Sequence, residues 1–440
     1  MYDAIVIGSG PAGYKCAEMI SELGGKAAVI EKENIGGTCI NYGCIPTKAF
    51  HASASFISDV KKAHRFGFEA VEISAKMGLL VERKDRIVKA MSLGVNNILS
   101  GSSVDIIKGE AEIKDQNTVL ANGMELKARN IVIATGAKPI VPKGVDINGT
   151  VMTSREILHM KELPSSMIVI GGGYIGCEFA SIFSALGTKI TVLEAMPRIM
   201  MHTDAEISEE LAKSLGKQGV EIFTESKLIR IEGNKVVHLH KNKTEEIEAE
   251  KILVAVGLEP SFNKNEMDRL GVKYGRGIFA DRKMRTNVDN IYAVGDVTDQ
   301  IKLAHYAHAQ AEIASRNIMG IDSEFDGSVV PSAIFTLPEI SSVGDYNSGL
   351  ESAKFSFAAN GKARSMGSAE GFVKIFYREG MLKGFCAIGP HATDLVSEAA
   401  LAIKNNISLE KIKETIHAHP TLSEAFLGAV EAALKNGKKH

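Results

Sequence analysis

The chain has 440 residues, of which 45% are hydrophobic and 24% are charged, and its formal net charge is −2. This length predicts several domains with a large buried core. The near-zero charge excludes the strong positive field that attracts nucleic acid or an anionic membrane surface. The sequence shows no secretory signal and no run of about 18 uninterrupted apolar residues. We therefore expect a cytoplasmic protein that does not cross a membrane.

Two segments of the chain carry nearly the same pattern. Each has a short β-branched run, a GxGxxG motif, a helix-like stretch and then an acidic residue, Glu31 or Glu194, 18 positions after the third glycine. Such glycines let the backbone approach a pyrophosphate at a helix N-terminus, and the acid accepts hydrogen bonds from ribose hydroxyls. One GxGxxG alone is equally typical of a glycine-rich turn, but two complete units predict two bound dinucleotides. The glycines are Gly8, Gly10 and Gly13 in the first motif and Gly171, Gly173 and Gly176 in the second.

A cysteine pair follows the first acid, at Cys39 and Cys44. On a regular helix, residues five apart are separated by a rise of ~7.5 Å, beyond the ~6.8 Å reach between the α-carbons of a disulfide. A bridge between them therefore requires a distorted backbone, which Gly43 permits. A zinc site would need two more cysteines or histidines at knuckle spacing, and none is near. We interpret the pair as a redox-active dithiol or disulfide.

Three further segments each contain an apolar run that leads to a glycine, the place where doubly wound sheets bind ligands. They are 131–136, 252–257 and 291–297. Their order indicates a first domain that breaks near residue 143 and resumes near residue 271, with a second unit inserted. From about 329 onward the pattern changes to short strands at 329–335, 371–377 and 384–388, followed by helices at 392–405 and 423–434. This pattern indicates a separate α+β domain.

The segment GGTCINYGCIPTK (Gly36–Lys48) resembles the active-site motif of the class I pyridine nucleotide–disulfide oxidoreductase family. The resemblance extends over nearly the whole chain in the family's order. Other segments match the family's second FAD segment, its flavin-contacting segment, the start of its dimerisation domain and its C-terminal catalytic segment. They are Asn290–Asp296, Leu303–His305, Ser332–Gly344 and His417–Phe426.

The resemblance implies an α/β protein with two Rossmann-like dinucleotide-binding domains, for FAD and NAD, and a C-terminal α+β dimerisation domain. We expect the FAD-binding domain over 1–143 and 271–328, the NAD-binding domain over 144–270 and the dimerisation domain over 329–440.

The resemblance also implies the catalytic roles. Cys39 is expected to be the thiol that exchanges with the substrate, and Cys44 the charge-transfer thiol beside the flavin. His419, oriented by Glu424, is expected to take the thiol proton, a task that suits a group titrating near neutrality beside a carboxylate. In the family this histidine reaches the disulfide of the other subunit, so the resemblance implies an obligatory C2 homodimer.

Lys48 and Glu178 match a pair that the family places beside the flavin. Tyr174 matches a residue that covers the flavin until the nucleotide arrives, although simple packing explains it equally well. The full set expected at FAD is Gly8, Gly10, Gly13, Glu31, Gly37, Thr38, Lys48, Thr135, Gly136, Asp296, Leu303, Ala304 and His305. The full set expected at NAD is Gly171, Gly173, Tyr174, Ile175, Gly176, Glu194 and Gly257.

Glu194 predicts NAD rather than NADP, because a carboxylate accepts a hydrogen bond from a free ribose 2′-hydroxyl and repels a 2′-phosphate. Gly176 as the third glycine matches the NAD form. Arg198, four residues after the acid, carries a positive charge that would weaken the preference for NAD over NADP.

The segment around His419 resembles the family members that oxidise dihydrolipoyl groups with NAD⁺, and so does 357–367. A dihydrolipoyl-bearing acyltransferase of a 2-oxo-acid dehydrogenase complex is then the expected protein partner. Two alternatives stay open: an NAD(P)H-dependent reductase of another low-molecular-weight disulfide, and a structural subunit docked on an acyltransferase core.

The remaining histidine pairs do not predict a metal site. His417 and His419 have no third ligand at useful spacing, and His238 and His240 lie on an alternating run that we expect to face solvent. One departure from the family is the stretch between Gly344 and Phe355, which is shorter than usual, so we expect the helix there to be trimmed.

Overall fold

The computed structural model describes residues 1–69, 72–346 and 349–437. The chain forms two compact units, and each consists of three stretches. The first unit contains Met1–Ala49, Val81–Ile140 and Gly257–Gly327; the second contains Phe50–Leu80, Val141–Val256 and Ser328–His440. The chain thus leaves the first unit and returns to it twice.

The regular elements include strands that alternate with helices and longer runs of consecutive strands. The strands are β1 (Tyr2–Ile7), β2 (Ala27–Glu31), β3 (Asp105–Lys108), β4 (Ala111–Asp115), β5 (Thr118–Ala121), β6 (Met124–Ile133), β7 (Ala137–Pro139), β8 (Val151–Thr153), β9 (Ser166–Ile170), β10 (Lys189–Leu193), β11 (Glu221–Phe223), β12 (Ser226–Glu232), β13 (Lys235–His240), β14 (Lys243–Glu248), β15 (Lys251–Val254), β16 (Leu258–Pro260), β17 (Ile291–Ala293), β18 (Ser332–Ile334), β19 (Glu339–Gly344), β20 (Glu351–Ser356), β21 (Phe372–Arg378) and β22 (Met381–Gly389). The helices are α1 (Pro11–Glu22), α2 (Gly37–Asn41), α3 (Cys44–Lys61), α4 (Met77–Gly101), α5 (Tyr174–Leu186), α6 (Ala205–Lys217), α7 (Lys264–Leu270), α8 (Ala304–Ile318), α9 (Gly361–Ser365), α10 (Ala392–Lys404), α11 (Leu409–Glu414) and α12 (Glu424–Gly437).

The first unit is built on a parallel sheet with the strand order β3-β2-β1-β6-β17. Alternate residues of β1 face opposite sides, and both sides are buried. Val6 packs with α1 and α8, whereas Ile5 packs with β4 and β5. A strand covered on both faces requires a continuous apolar run, which is the pattern that the sequence shows before the first glycine motif.

The first unit resumes at Gly257 rather than at residue 271. Strand β16 pairs with β7, and Met267 and Leu270 of α7 are buried in the core beside Ile5. The boundary expected at residue 270 was therefore wrong. The short polar helix α7 gives little periodic signal, and its attachment depends on two apolar residues that only the tertiary fold brings to the sheet.

The inserted part of the second unit repeats the doubly wound pattern. Its sheet has the order β11-β10-β9-β15-β8, and every adjacent pair is parallel. The apolar runs 131–136, 252–257 and 291–297 overlap strands β6, β15 and β17, so a strand is present at each predicted place.

A second, antiparallel sheet of β12, β13 and β14 corrects one prediction. His238, expected to face solvent, is fully buried, because it lies on the central strand β13 and faces the same side as the core residue Val236. Its Nδ1 is 2.7 Å from the Ser226 hydroxyl. His240, two residues on, is partly buried. The alternating strand that the sequence predicts is present, but the face that carries His238 is buried.

The C-terminal part of the second unit is an antiparallel sheet of order β18-β19-β22-β21-β20. Helices α10 and α12 bury their apolar faces in one core with this sheet. Both helices and three of the strands lie where the sequence predicted them. The shortened stretch after Gly344 includes residues 347–348, which lie outside the described residues, so the expected trimming of a helix there stays a prediction.

In the described ranges, which omit 70–71, 347–348 and 438–440, none of the helices has the length and hydrophobicity that crossing a membrane requires.

Candidate active site

The first glycine turn connects β1 to α1. Gly8 has a φ of +99°, and a side chain on it would collide with the carbonyl of Ala134. A side chain on Gly13 would overlap the carbonyl oxygen of Gly8, so the helix approaches the strand as closely as backbone allows. The turn therefore brings the N-terminus of α1 close to the end of β1 with glycines at the points of closest approach, a construction that fits a pyrophosphate.

Glu31 ends β2 beside this turn. Its Oε2 accepts hydrogen bonds from the backbone N–H of Ser9 at 2.8 Å and from the Ser9 hydroxyl at 2.7 Å, and its Oε1 accepts one from the N–H of Glu33. The glutamate is buried. Sequence reasoning missed Ser9, although a hydroxyl between the first two glycines is a visible signal. Because a carboxylate has about four lone-pair sites, capacity remains for ribose hydroxyls.

Other residues expected at FAD lie at the same edge of the sheet. Thr135 follows β6 and Asp296 follows β17, and these parallel neighbours pair through Ile133 and Ala293. The Thr135 hydroxyl is buried and makes no hydrogen bond within the described part of the chain. Burial raises the pKa of Asp296 to about 6, and Lys302 opposes that rise. A buried hydroxyl and a desolvated carboxyl at one strand edge fit a polar ligand.

Gly37 lies against the same turn, because a side chain on it would meet the backbone of Gly10. Gly37 and Thr38 open helix α2, and Leu303, Ala304 and His305 lie at the start of α8. Gly136 follows Thr135 in the chain. The structure thus places most of the residues expected at FAD around one end of one sheet, and their contacts with the cofactor stay predictions.

The second glycine turn has the same construction. Gly171 has a φ of +107°, and a side chain on it would collide with the carbonyl of Ala255. Gly176 approaches the Gly171 carbonyl as Gly13 approaches that of Gly8. Gly173 caps α5, and Tyr174 and Ile175 are its first residues. The same construction at this turn fits a second dinucleotide.

Gly257, also expected at NAD, differs from the others. It belongs to the first unit, where its carbonyl accepts a hydrogen bond from the N–H of Ile140 at 3.0 Å. Its proposed role at the nucleotide is not tested by this arrangement.

Glu194 directly follows β10, beside the second turn. Its Oε2 accepts a hydrogen bond from the N–H of Gly172 at 2.6 Å, and its Oε1 accepts one from Met196 at 2.7 Å. Arg198 donates to the carbonyl oxygens of three residues of its own loop, Met200, Met201 and Thr203. Its guanidinium is therefore engaged by the backbone, which weakens the suggestion that it serves a 2′-phosphate.

Cys39 and Cys44 form a disulfide with a Cα–Cα distance of 4.7 Å, so the predicted pairing and the predicted break in the helix are both confirmed. Helix α2 ends at Asn41 and α3 starts at Cys44. Cys44 thus lies at a helix N-terminus, where the partial positive charge stabilises a thiolate.

The other cysteines, Cys16, Cys177 and Cys386, are buried thiols. Burial raises the pKa of Cys16 to about 12, and burial also raises the pKa of Cys177 and Cys386. A thiol held in its protonated form is a poor nucleophile. Thiol chemistry therefore belongs to the Cys39–Cys44 pair.

His419 lies in the turn before α12, as predicted, and its Nδ1 is 2.9 Å from Oε1 of Glu424. The other carboxylate oxygen accepts a hydrogen bond from the N–H of Thr421 at 2.8 Å. The hydrogen bond from the Thr421 backbone contributes most, and the one from His419 contributes next, to holding the pKa of Glu424 below its usual range. The His419 side chain is 79% exposed. The arrangement presents an imidazole, backed by a carboxylate, to an incoming group.

His417 does not combine with His419. Its Nε2 is 2.8 Å from Glu398 and its Nδ1 is 2.9 Å from the carbonyl of Thr415, so both ring nitrogens are engaged. Glu398 carries no motif in the sequence that marks it as this partner. Over residues 1–69, 72–346 and 349–437, no cluster of three or more His, Cys, Asp or Glu side chains suits a metal ion.

Lys48 and Glu178 lie in different units, so their pairing stays a prediction. Lys48 is on α3, one turn beyond Cys44. Glu178 is buried on α5, and its Oε1 accepts a hydrogen bond from the N–H of Phe335 at 2.8 Å. Tyr174 is 43% exposed, which is compatible both with a gate and with packing.

Two family models match the chain. The one described as pyridine nucleotide-disulphide oxidoreductase matches residues 2–311, and the one described as the dimerisation domain of the same family matches residues 330–430. The chain is similar to proteins named dihydrolipoyl dehydrogenase. The one from Chlamydia trachomatis serovar D is 38% identical, over 97% of this chain and 95% of that protein. The one from Geobacillus stearothermophilus is 36% identical, over 98% and 96%.

Solved structures agree on the architecture. LpdA from Mycobacterium tuberculosis superposes with a TM-score of 0.90 at 27% identity, over 97% of this chain and 99% of that one. The flavoprotein disulfide reductase RclA from Escherichia coli, described as HOCl-induced and solved as a Cu(II) complex, gives a TM-score of 0.88 at 26% identity, over 98% and 99%. The predicted fold class is confirmed.

Proposed function

Because the chain belongs to the pyridine nucleotide-disulphide oxidoreductase family, we propose that it acts as a dihydrolipoyl dehydrogenase that uses FAD and NAD⁺. The observation that carries this proposal is the Cys39–Cys44 disulfide, placed directly after a glycine turn that fits a dinucleotide. The relatives named dihydrolipoyl dehydrogenase, at 36–38% identity over nearly their whole length, favour this substrate.

The proposed reaction converts a dihydrolipoyl group and NAD⁺ into a lipoyl group, NADH and a proton. One substrate thiolate attacks the sulfur of Cys39, which forms a mixed disulfide and releases Cys44 as a thiolate. The second substrate sulfur then attacks the first, which closes the lipoyl disulfide and releases Cys39 as a thiolate. FAD, held at the first glycine turn, would supply the two-electron chemistry that links the reduced Cys39–Cys44 pair to NAD⁺.

The proton of the substrate thiol goes to His419 in this proposal. The hydrogen bond between its Nδ1 and Glu424 fixes the ring and stabilises the imidazolium that forms. The depressed pKa of Glu424 supports this role, because its carboxylate stays charged across the pH range in which an imidazole titrates. Released Cys44 is stabilised in turn by the N-terminus of α3.

The chain carries the family's dimerisation domain at residues 330–430. We propose a C2 homodimer in which His419 of each chain serves the disulfide of the other, as the resemblance implies. A dihydrolipoyl-bearing acyltransferase is the proposed protein partner, and the cytoplasmic location stays a prediction.

NAD⁺ is the proposed nucleotide because Glu194 directly follows strand β10 and its carboxylate accepts a hydrogen bond from the N–H of Gly172 in the glycine turn. A 2′-phosphate would meet this negative charge. The engagement of Arg198 by three carbonyl groups supports the same choice.

The test is steady-state oxidation of dihydrolipoamide by the purified flavin-containing protein, with NAD⁺ and NADP⁺ in parallel assays. We expect fast reduction of NAD⁺ and slow reduction of NADP⁺. Glutathione disulfide and cystine, each with NADH, test the alternative of a reductase for another disulfide, which the likeness to RclA favours. A yellow protein that turns over one of these disulfides and ignores dihydrolipoamide would replace the proposed substrate.

A further inference from the structure

The residues after Glu194 form a loop without regular secondary structure. We call residues 194–204, between β10 and α6, the acid loop. It carries the carboxylate that selects the nucleotide, so its conformation decides where that carboxylate lies. Its first residues are held by backbone hydrogen bonds: the N–H of Glu194 donates to the carbonyl of Phe223 and the N–H of Ser226 donates to the carbonyl of Glu194, both at 2.8 Å. The rest of the loop gains its order from side chains and neighbouring elements.

One end of the acid loop is bound to the glycine turn. Glu194 accepts the N–H of Gly172, and the N–H of Met200 donates back to the Gly172 carbonyl at 2.8 Å. Arg198 crosses the inside of the loop to three of its carbonyl groups. Ser208 of α6 donates to the carbonyl of Ile199 at 2.7 Å. The loop therefore behaves as one connected body with the turn.

The other end of the acid loop is bound by the C-terminal sheet. Asp204 caps α6, since its Oδ1 accepts the N–H groups of Glu206 and Ile207. Its Oδ2 is 2.9 Å from Nζ of Lys374 on strand β21. Lys374 also lies 2.8 Å from Glu206, and Tyr346 donates to the carbonyl of His202.

The Lys374–Asp204 pair is buried, with each side chain 10% exposed. Burial lowers the pKa of Lys374, but hydrogen bonds to Glu206 and Asp204 outweigh burial and leave that pKa raised. The lysine is therefore charged in the folded protein. Buried ion pairs contribute little net stability compared with apolar packing, but they define a geometry, because an unpaired buried charge is costly.

We infer that Lys374 is a positioning residue for the nucleotide: through Asp204 it fixes the acid loop and thereby the carboxylate of Glu194. This inference rests on the proposed NAD⁺ binding and extends it to a residue of the C-terminal sheet. Lys374 does not touch the nucleotide in this account. It sets the affinity for the adenosine half of NAD⁺, because Glu194 binds that half.

The test is calorimetric titration of the flavin-containing protein with ADP-ribose, the redox-inactive fragment of NAD⁺, for the wild type and Lys374→Met. We expect the dissociation constant of the variant to rise about tenfold, in the range by which networks couple distant sites. In steady-state assays the KM for NAD⁺ should rise by a similar factor, while kcat and the KM for dihydrolipoamide stay within about twofold.

Lys354→Met is the matched control. Lys354 binds the same Glu206, at 2.6 Å, but its side chain is 58% exposed and Asp204 is not its partner. An exposed ion pair contributes about 0–1 kcal/mol, so ADP-ribose affinity should not change. Lys374→Arg retains the charge and should restore most of the affinity.

Lys374→Met leaves the Asp204 carboxylate buried without its cation, which lowers the stability of the folded protein. The double variant Asp204→Asn/Lys374→Met removes both charges and keeps a residue that caps helices well. A cooperative thermal unfolding transition checks that this variant is folded, and its ADP-ribose affinity should still be lower than that of the wild type. Wild-type affinity in this folded double variant would overturn the inference and leave NAD⁺ binding intact. A wild type that binds neither ADP-ribose nor NADH would overturn both.

Discussion

The two glycine turns have the same backbone and different surroundings. Gly8 and Gly171 have φ values of +99° and +107°. In each turn, the N–H of the residue after this glycine donates a hydrogen bond to the acid: Ser9 to Glu31 in the first turn and Gly172 to Glu194 in the second. Glu31 is buried and takes a further hydrogen bond from the Ser9 hydroxyl, whereas Glu194 is partly exposed. The two turns have the same backbone geometry because each is proposed to bind a pyrophosphate. They differ in how deeply the acid beside them is buried.

The chain after each acid differs as well. After Glu31, Gly37 packs against Gly10 and opens the short helix that carries Cys39. After Glu194, the acid loop runs partly exposed until α6. The first turn is thus enclosed and joined to the reactive disulfide, which suits a cofactor that stays bound. The second is open, which suits a nucleotide that must leave after each turnover.

Cys39→Ser should have the largest effect, because the reactive centre follows only the first acid. We expect dihydrolipoamide oxidation to fall to background, since a serine hydroxyl neither forms nor exchanges a disulfide. Flavin content and NADH binding should persist. Cys16→Ala, which removes a buried thiol outside the pair, is the control and should retain activity. Undiminished turnover by Cys39→Ser would remove the disulfide from the proposed reaction.

Gly8→Ala and Gly171→Ala should separate the two cofactors. Each places a Cβ against a neighbouring carbonyl at positive φ, which costs ~1–3 kcal/mol for the backbone alone. Gly8→Ala should purify without flavin. Gly171→Ala should keep its yellow colour and lose NADH binding in a fluorescence titration.

Gly187→Ala is the control for this pair, since its φ is +111° but an added Cβ meets no atom within 4 Å. It should lose some thermal stability and keep both cofactors. If Gly171→Ala also lost its flavin, the two turns would not be independent.

Glu194→Gln should weaken NADH binding about tenfold, because a hydrogen bond to a charged group contributes ~1.5–3 kcal/mol. The preference for NAD⁺ over NADP⁺ should narrow at the same time. Glu31→Gln, the matched change in the first turn, should alter flavin retention during dialysis and leave the nucleotide preference as it was. An unchanged preference in Glu194→Gln would place the selection elsewhere.

The smallest expected effect concerns the buried His238, a feature of the second unit. Burial lowers the pKa of His238 in the folded protein, whereas the unfolded chain titrates near ~6.5. Below that pH the unfolded state takes up a proton that the folded state refuses, so stability falls as the pH drops from 7 towards 5. His238→Asn should lose part of this slope in urea unfolding. His391→Asn, an exposed histidine, should keep it; equal slopes in all three proteins would contradict the prediction.

Much of the site follows from local pattern. The glycine motifs, their acids, the cysteine pair and the His419–Glu424 pair are each encoded within a few residues or by a fixed spacing. The structure places the two motifs at turns, joins Cys39 to Cys44 and brings His419 to Glu424.

What the local pattern missed has a common physical cause. His238 was assigned to solvent because alternation tells which residues share a face, but not which face the protein buries. Residues 257–270 were assigned to the inserted unit because chain order does not tell which sheet a short helix joins.

The sequence by itself determined the chemistry of this protein: two dinucleotide units, a redox disulfide and a histidine with its carboxylate, because these depend on backbone geometry and short spacings. Only the tertiary structure decided how deeply each acid is buried and that Arg198 donates its hydrogen bonds to carbonyl groups of its own loop. It also decided that Lys374 binds Asp204, the N-cap of α6, which lies 170 residues away in the chain. Burial and long-range ion pairs depend on which elements pack together, and no local pattern encodes that choice.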